Sequence, residues 1–260
     1  MSTSRTDVEM TAELTIVIPA KNEAKLIPRL LTSLTMQDYS KMRITPVLVA
    51  DARSTDGPPD IVRNFGDRLT VDVIAGGMPA VGRNRGAAMA KTPYVLFLDA
   101  DIELAEPWLL RRCIEKMQEK KLHLATTTIL CQGSFFDKIL YWGSDFFQYL
   151  SCLYKPFATG MFMMFDRTRF HELGGFHEGA QFAEDYLLSQ KVARCKFAIV
   201  RGGVLTTNRR FQKMGHLRVF FLFFRTALNT HNERFYMRDH KYWAAYQGQE
   251  KSVDATVPLA

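Results

Sequence analysis

The first half of the chain alternates short apolar runs, rich in β-branched residues, with segments of helical periodicity. Such alternation is typical of a sheet of parallel strands covered by helices. We predict strands at residues 14–18, 47–49, 69–74, 94–98 and 124–130. We predict helices over residues 26–34 with Asn22 as N-cap, from Pro58 or Pro59 to Phe65, at GRNRGAAMA, and from about residue 107 to 120. The sequence therefore predicts an α/β fold with a mainly parallel sheet flanked by helices.

The charge balance favours an anionic partner. Lys and Arg outnumber Asp and Glu by 34 to 27, which gives a formal net charge of +7. A diphosphate, an acidic membrane surface and a nucleic acid would each suit this excess. The sequence holds neither paired Cys/His ligands nor an aromatic RNA-binding strand, so we expect no nucleic acid.

The cysteines and the N-terminus favour a cytoplasmic protein. Cys113, Cys131, Cys152 and Cys195 are widely spaced and form no C-x-x-C pair, so neither a zinc site nor a disulfide framework is indicated. The first residues are acidic where a signal peptide would be basic. We therefore expect reduced thiols and a place in the cytoplasm.

Two aromatic stretches stand in the second half. Residues 134–165 are rich in aromatics and methionine, and residues 219–224 read VFFLFF between Arg218 and Arg225. Lys155 and Pro156 interrupt the first stretch, and the second is far shorter than the roughly 20 residues that span a bilayer. We expect these side chains to pack in the core. The alternative is shallow insertion at the inner face of a membrane, where a lipid-linked acceptor could be reached.

The most informative segment is YVLFLDADIE, residues 94–103, in which a buried strand runs out into a D-x-D pair. Ligands of open α/β sheets bind beyond the carboxyl ends of the strands, so Asp99 and Asp101 are expected to point into a cleft. Carboxylate oxygens suit Mg²⁺ or Mn²⁺, which would bridge them to the phosphates of a nucleotide. We predict a metal site at Asp101 and Asp99. Asp101 would bind the metal directly, and Asp99 would bind it directly or through water, or would contact a ribose.

Two further strands run into acidic segments. The first leads into IPAKNEA, residues 18–24, and the second into VADARSTDG, residues 49–57. In a parallel sheet both ends border the same cleft, so Asp51, Glu23 and the backbone near Ala20 are predicted to contact a base and ribose. Taken alone, STDG is an ordinary turn.

These segments and GRNRGAAMA, together with GGF at 174–176 and AEDYLLSQKV at 183–192, resemble the successive motifs of the family-2 glycosyltransferases with the GT-A fold. The resemblance covers roughly residues 13–211. The nucleotide contacts that it implies are Pro19, Ala20, Glu23 and Asp51, and the metal ligands that it implies are Asp101 with Asp99. The chain departs from many relatives at Ala52 and Arg53, where a second acid and a glycine are common.

The resemblance also implies a catalytic base. An inverting transfer needs a carboxylate that takes a proton from the acceptor hydroxyl while that oxygen attacks the anomeric carbon. Asp185, at the start of a predicted helix, matches the Asp of the family's Glu-Asp motif, and Glu184 would orient it or bind acceptor. Without the other motifs, two acids at this point would merely favour the helix dipole.

Basic side chains are expected beside the donor. Arg83 and Arg85 begin the small-residue helix, where an Arg can pair with a diphosphate in bidentate fashion or simply be solvated. Arg209, Arg210 and Lys213 are predicted on a mobile loop over the donor, where cations would stabilise the leaving diphosphate.

The sequence therefore predicts a metal-dependent, inverting, non-processive glycosyltransferase of the hexosyltransferase type. It would use Mg²⁺ or Mn²⁺ and a nucleotide-sugar donor, for which UDP is expected although the base is not determined. The acceptor would be lipid-linked or a glycan, and the oligomeric state is not readable. The alternatives are a sugar-phosphate nucleotidyltransferase and a non-catalytic nucleotide-binding or membrane-surface module of the same fold.

The predicted domain organisation is a single catalytic domain at residues 13–230. Its nucleotide-binding half covers 13–131, and its acceptor-binding half, helical and rich in aromatics, covers 132–230. A flexible N-terminus at 1–12 and a tail at 231–260 complete the division.

Overall fold

The computed structural model describes residues 12–229, 232–238 and 240. The predicted flexible N-terminus at 1–12 lies outside the described residues apart from Ala12, and the predicted tail at 231–260 lies outside them apart from 232–238 and 240. The domain boundaries proposed from the sequence remain predictions.

Eight strands lie within this part of the chain: β1 (Ala12–Ala20), β2 (Met42–Asp51), β3 (Val71–Ala75), β4 (Tyr94–Leu98), β5 (Ile102–Leu104), β6 (Leu124–Gln132), β7 (Phe162–Asp166) and β8 (Phe197–Thr207). The helices described with them are α1 (Ile27–Thr35), α2 (Pro58–Arg63), α3 (Pro79–Met89), α4 (Leu109–Lys120), α5 (Phe135–Ser151), α6 (Arg167–Glu172), α7 (Glu184–Ser189), α8 (Arg209–Met214), α9 (His216–Leu228) and α10 (Glu233–Tyr236). A short 3₁₀ turn covers Arg194–Lys196.

The strands form one mixed sheet in the order β3-β2-β1-β4-β7-β6-β8-β5. β3, β2, β1 and β4 run parallel to one another, β7 is antiparallel to both β4 and β6, and β8 is parallel to β6 and antiparallel to β5. The predicted mainly parallel α/β sheet is confirmed.

The central strands β1 and β4 are buried on both faces, as parallel strands between helices must be. Alternate side chains point to opposite faces. One face carries Ile16, Ile18, Leu96 and Leu98, and the other carries Val17, Val95 and Phe97. The first face packs with side chains of α1 and α4, and the second packs with side chains of α3 and α7.

Helix α3 lies unusually close to the sheet because small residues face it. A Cβ added at Gly86 would lie 2.3 Å from Cγ1 of Val17 on β1, so a larger residue would push the helix away. The small-residue helix predicted from GRNRGAAMA is confirmed, and this close approach determines where Arg83 can reach.

The structure corrects one detail of the first half. Leu26, and not Asn22, is the N-cap of α1. Asn22 lies in the preceding turn with a φ of 55°, where its side-chain oxygen accepts a 2.9 Å hydrogen bond from the Thr55 amide. Its side chain joins the loops that follow β1 and β2 instead of beginning a helix.

The expectation that the aromatic stretches pack in the core is wrong for most of their side chains. On α5 and α9 most aromatic residues face outward, with Phe136 71% and Trp142 69% exposed, whereas Tyr141 is buried. Within the described residues, no helix is both long and apolar enough to cross a membrane.

Candidate active site

The loops that follow β1 and β2 are joined at the carboxyl edge of the sheet. Ala20 and Asp51 are register partners, and the Ala52 amide donates to the Ala20 carbonyl at 2.9 Å. The Asn22 amide donates to Oγ of Ser54 at 3.0 Å. The ends of β1 and β2 therefore lie together, as the sequence predicted for a parallel sheet.

Asp51 ends β2 with its side chain directed at its own loop. Its carboxylate accepts the Ser54 amide, three residues further on, at 3.3 and 3.4 Å. Arg53, at the position where relatives commonly have glycine, adopts a φ of 57° in the left-handed region that glycine favours. A residue with a long side chain therefore occupies a backbone conformation that glycine favours.

Arg209 closes one side of the site by pairing with two acids from the edge. Its guanidinium donates to both oxygens of Glu23, at 2.6 and 3.0 Å, and to Oδ2 of Asp101 at 3.0 Å. The sequence predicted Arg209, Arg210 and Lys213 on a mobile loop, and this is wrong: Arg209 is the first residue of helix α8. Arg210 follows it on α8, where its charge acts on Asp101.

Arg83 links the D-x-D segment to the predicted base region. It donates to Oδ1 of Asp99 at 2.6 Å and to Oε1 of Glu184 at 2.5 Å, and its guanidinium lies 5.2 Å from the ring centroid of Phe176. Its side chain is only 3% exposed, so the alternative of a solvated Arg83 is excluded. Arg85 instead donates to the carbonyls of Ala75 and Gly76, beside the edge.

Asp185 lies in the same cluster and is held by backbone amides. Its Oδ2 accepts from the Gly160 amide at 2.5 Å and its Oδ1 accepts from its neighbour Tyr186 at 2.8 Å. A Cβ at Gly160 would lie 2.6 Å from Nη2 of Arg83 and 3.3 Å from Oδ2 of Asp185. Only glycine therefore allows the backbone to approach both side chains.

Four acids of the site have pKa values above those of free carboxylic acids. Burial raises the pKa of Glu23, Asp101 and Asp185, and the negative charge of Asp99 adds to the rise at each of them. Burial also raises the pKa of Glu184, against the opposing charge of Arg83. Neutral carboxyl groups become easier to form where these charges crowd together.

Burial alone would lower the pKa of Arg83, but the charges of Asp99, Glu184 and Asp185 outweigh it and the pKa rises. This guanidinium therefore stays charged, and it balances part of the negative charge of the cluster.

The carboxylates at the edge of the sheet fit a divalent metal whose remaining coordination positions are filled by substrate phosphates and water. Among the described residues, no group of three or more His, Cys, Asp or Glu side chains is placed to hold a metal ion. Mg²⁺, however, is usually held by one or two carboxylates together with substrate phosphates and water. Asp99 and Asp101 supply two such carboxylates, and the repulsion that raises the pKa of Asp101 favours a cation between them.

The sequence interpretation missed a polar cluster around Asp137. This buried carboxylate caps α5 through Ser134 and accepts hydrogen bonds from Asn208 at 2.9 Å and from His216 at 2.6 Å. It thereby connects α5 with the residues on either side of α8. The spacing of Ser134 and Asp137 resembles a capping box and was the available signal. His216 thus pairs with Asp137.

One open cavity of the described residues lies elsewhere. Its volume is about 310 Å³, and it borders Tyr94 at the opposite end of β4 from Asp99, with Lys121, Arg169 and Lys196 in its wall. None of the predicted site residues lines it, so the site defined above rests on the cluster of charges and not on this cavity.

The comparisons with known proteins agree with the fold. The family described as Glycosyl transferase family 2 matches residues 15–174. Validoxylamine A glucosyltransferase from Streptomyces hygroscopicus subsp. jinggangensis is 38% identical over 98 residues, which are 36% of this chain and 23% of that protein. The chain thus matches about a quarter of the length of this curated relative.

Two solved structures share the fold at low sequence identity. The mannosyltransferase PcManGT from Pyrobaculum calidifontis, in complex with GDP-Man and Mn²⁺, aligns with a TM-score of 0.62 and 20% identity, over 93% of this chain and 76% of that one. S. aureus TarS 1-349 in complex with UDP aligns with a TM-score of 0.59 and 20% identity, over 75% of this chain and 60% of that one.

Proposed function

The chain belongs to glycosyl transferase family 2, and on this premise we propose that it moves a sugar from a nucleoside-diphosphate sugar to an acceptor hydroxyl. One observation carries the proposal. Arg83 donates both to Asp99, at the carboxyl edge of the sheet, and to Glu184, at the start of α7, which brings Asp185 beside the edge where a nucleotide would bind. Acids for a diphosphate-metal site and a buried carboxylate base then share one cleft, as glycosyl transfer to a hydroxyl requires.

We assign the donor to the loops after β1 and β2. Pro19, Ala20 and Asp51 would contact the base and ribose, and Glu23 would stand between them and the phosphates. Arg209 and Arg210, on α8, would hold the diphosphate as it leaves, because fixed cations stabilise the charge that develops there. The solved neighbours carry UDP in one case and GDP-Man in the other, so we take a UDP-linked sugar as the first donor to test.

We assign the divalent metal, Mg²⁺ or Mn²⁺, to Asp101 with Asp99. When bound, it would supply Lewis-acid stabilisation of the leaving diphosphate. Because Arg209 contacts Asp101 and Arg83 contacts Asp99, both carboxylates are already oriented by cations before any ligand arrives. The Mn²⁺ in the PcManGT structure supports this assignment.

We assign the proton transfer to Asp185. Its carboxylate would take the proton of the acceptor hydroxyl while that oxygen attacks the anomeric carbon from the face opposite the diphosphate, which inverts the configuration. The amides of Gly160 and Tyr186 each use one lone pair of its oxygens, and a carboxylate has about four such sites. Glu184, paired with Arg83, would position the base.

The two alternatives drawn from the sequence carry less weight. Membership of a glycosyltransferase family removes the main reason to consider a sugar-phosphate nucleotidyltransferase. A non-catalytic module would have no need of the buried Arg83–Glu184 pair beside Asp185.

We also propose that the protein acts in the cytoplasm, at or near the inner face of a membrane. Its acceptor would be a lipid-linked hydroxyl or a glycan, and transfer would be non-processive, of the hexosyltransferase type. The exposed aromatic side chains of α5 and α9 support a membrane contact.

The test is donor binding with and without metal. Thermal shifts would be measured for the sugar nucleotides of UDP, GDP, dTDP and CDP, with and without Mn²⁺, because a ligand that binds only the native state raises its apparent stability. We expect one nucleotide class to stabilise the protein, and Mn²⁺ to increase the shift.

The comparison uses Asp101→Asn with Asp72→Asn as its control, since Asp72 is an exposed acid on β3. Asp101→Asn should remove the Mn²⁺-dependent part of the shift, and Asp72→Asn should leave it unchanged. A donor shift that is equal in the wild type and in Asp101→Asn would overturn the metal assignment. The absence of any donor shift would overturn the proposed function.

A further inference from the structure

Helix α5 has the reverse of the usual amphipathic pattern. In a water-soluble helix the apolar face is buried and the polar face is exposed. Here the fully buried positions are Asp137, Tyr141 and Gln148. Much of the exposed surface is apolar: Phe135, Phe136, Ile139, Trp142, Phe146, Phe147, Tyr149 and Leu150. Two polar residues and Tyr141 thus pack against the rest of the protein, and most of the apolar side chains of the helix are left outside.

Helix α9 adds a second exposed apolar face next to the first. Its exposed apolar side chains are Leu217, Phe220, Phe221, Phe223, Phe224 and Leu228. The rings of Phe220 and Phe224 stack on each other at 6.3 Å, one helical turn apart. The helices meet at their N-terminal ends through the Asp137–His216 pair. We call the exposed apolar side chains of α5 and α9 the aromatic face.

The charges around the aromatic face are of one sign. Lys138 on α5 and Arg218 and Arg225 on α9 are exposed. The two acids of these helices are drawn inward, because Asp137 is buried and Asp145 accepts the Ile129 amide at 3.0 Å. The exposed ionisable groups of both helices are thus basic, within the residues described.

This combination identifies the partner. Aromatic side chains flanked by Lys and Arg are typical of helices that lie in the plane of a bilayer interface, and each basic residue near an anionic lipid surface adds to the binding. A second copy of this chain fits less well, because a symmetric contact would bring like charges together. We propose that the aromatic face docks on the surface of an anionic lipid bilayer.

The chain links this face directly to the proposed base. After α5 the exposed side chains continue to Leu153 and Tyr154, and Gly160, whose amide binds Asp185, follows six residues later. Six residues span at most roughly 20 Å. Docking would therefore hold the acceptor side of the cleft close to the bilayer, so that a hydroxyl carried by a lipid can reach Asp185. This last step rests on the proposed glycosyl transfer, whereas docking itself rests only on the exposed side chains of the aromatic face.

The experiment is co-sedimentation of the full chain with vesicles. We expect binding to vesicles of phosphatidylcholine mixed with phosphatidylglycerol, and weaker binding to phosphatidylcholine alone. The double variant Trp142→Ser/Phe147→Ser should bind at least about tenfold more weakly, because it lacks two large apolar side chains that the wild type would bury in the lipid. Met36→Ser with Met89→Ser is the matched control, because both methionines are exposed but lie outside the aromatic face, and it should bind as the wild type does.

The charge is tested with Lys138→Gln and Arg218→Gln. Each should weaken the binding to the anionic vesicles by roughly fivefold and leave the binding to neutral vesicles unchanged. Failure of the wild type to bind anionic vesicles, or equal binding by the Trp142→Ser/Phe147→Ser variant, would overturn the proposal. Dimer formation in sedimentation velocity without vesicle binding would assign the face to a second copy instead.

Donor-induced thermal shifts, measured on the same variants, separate the two proposals. Vesicle binding that fails while the donor shift persists removes only the docking surface. If no sugar nucleotide raises the melting temperature of the wild type, only the proposed function is contradicted.

Discussion

The guanidinium of Arg209 donates two hydrogen bonds to the carboxylate of Glu23, which lies 186 residues earlier in the chain. The same group also holds Asp101. One cation thus neutralises two acids whose pKa values burial has raised. An arriving metal and diphosphate would redistribute these contacts, since the metal competes for Asp101 and the phosphates compete for Arg209.

Removal of the Arg209 side chain is expected to lower the stability of the protein and to strengthen its binding of Mn²⁺. In Arg209→Ala, Glu23 keeps its burial but loses its partner, which should lower the free energy of unfolding by about 1–3 kcal/mol. Mn²⁺ should bind the free protein more tightly because a competing cation is gone. Denaturant titration and calorimetric Mn²⁺ titration would measure the two effects. Arg201→Ala is the control, an exposed Arg on β8 that should change neither quantity; unchanged stability in Arg209→Ala would contradict the pairing.

Two glycine-to-alanine changes should act in opposite directions. In Gly160→Ala the new methyl group would meet Arg83 at 2.6 Å, so we expect a loss of about 1–3 kcal/mol in stability and a decrease in turnover. Gly143, in the middle of α5, has no atom within 4 Å of the same position. Gly143→Ala should therefore stabilise the protein by about 0.5–1 kcal/mol. If the two variants change the free energy of unfolding equally in denaturant titrations, the close approach of Gly160 to Arg83 is contradicted.

The pH dependence of transfer should report on Asp185. A general base works only when ionised, and burial raises the pKa of Asp185 above the ordinary value of 3.8. Activity should therefore fall as the pH drops through this raised pKa, at a higher pH than for an exposed aspartate. The release of nucleoside diphosphate with an acceptor, measured over pH at constant ionic strength, would give the acidic limb.

Asp185→Asn should spare donor binding and reduce turnover by about 10²–10⁴-fold. Asp60→Asn is the matched control, since Asp60 is also an acid in the first turn of a short helix, α2, but is exposed. It should keep full turnover. Near-normal turnover in Asp185→Asn would return that residue to a role at the helix terminus.

Asp137 should stabilise the protein at neutral pH and lose this effect in acid. Hydrogen bonds from Asn208, His216 and Ser134 outweigh its burial and lower its pKa to about 2. A pKa lower in the folded than in the unfolded state gives stability that is present above about pH 4 and is lost as the pH falls towards 2. Asp137→Asn should thus cost about 2 kcal/mol at pH 7 and about half of that at pH 3, as measured by urea unfolding.

Asp145, on the same helix, provides the opposite case. Burial raises its pKa to about 6, so the folded state binds its proton more tightly than the unfolded state does. Its ionisation lowers stability as the pH rises from about 4 to 6. Asp145→Asn should therefore become more stable than the wild type over that range. The same sign of change in both variants would contradict these two pKa shifts.

The local pattern of the chain was enough to predict the parallel half of the sheet and the acids at its edge. The predicted runs lie within β1, β2 and β4 and overlap β3. Three of these runs are followed by the acids Glu23, Asp51, Asp99 and Asp101. This succeeds because apolar periodicity decides which segments become strands, and parallel strands bring their carboxyl ends to one edge. Asn22 was misassigned because its partner, Thr55, lies on another loop.

What the sequence by itself determined is therefore the sheet, its acidic edge and the family to which the chain belongs. Only the tertiary structure decided that Arg83 is buried between Asp99 and Glu184, that Arg209 lies on a helix and pairs with Glu23, and that most aromatic side chains of α5 face outward. The physical reason is that burial and charge pairing depend on residues distant in the chain. The aromatic composition of α5 is compatible with either a core helix or a surface helix. The packing of Asp137, Tyr141 and Gln148 against the rest of the protein determines which side of the helix is exposed.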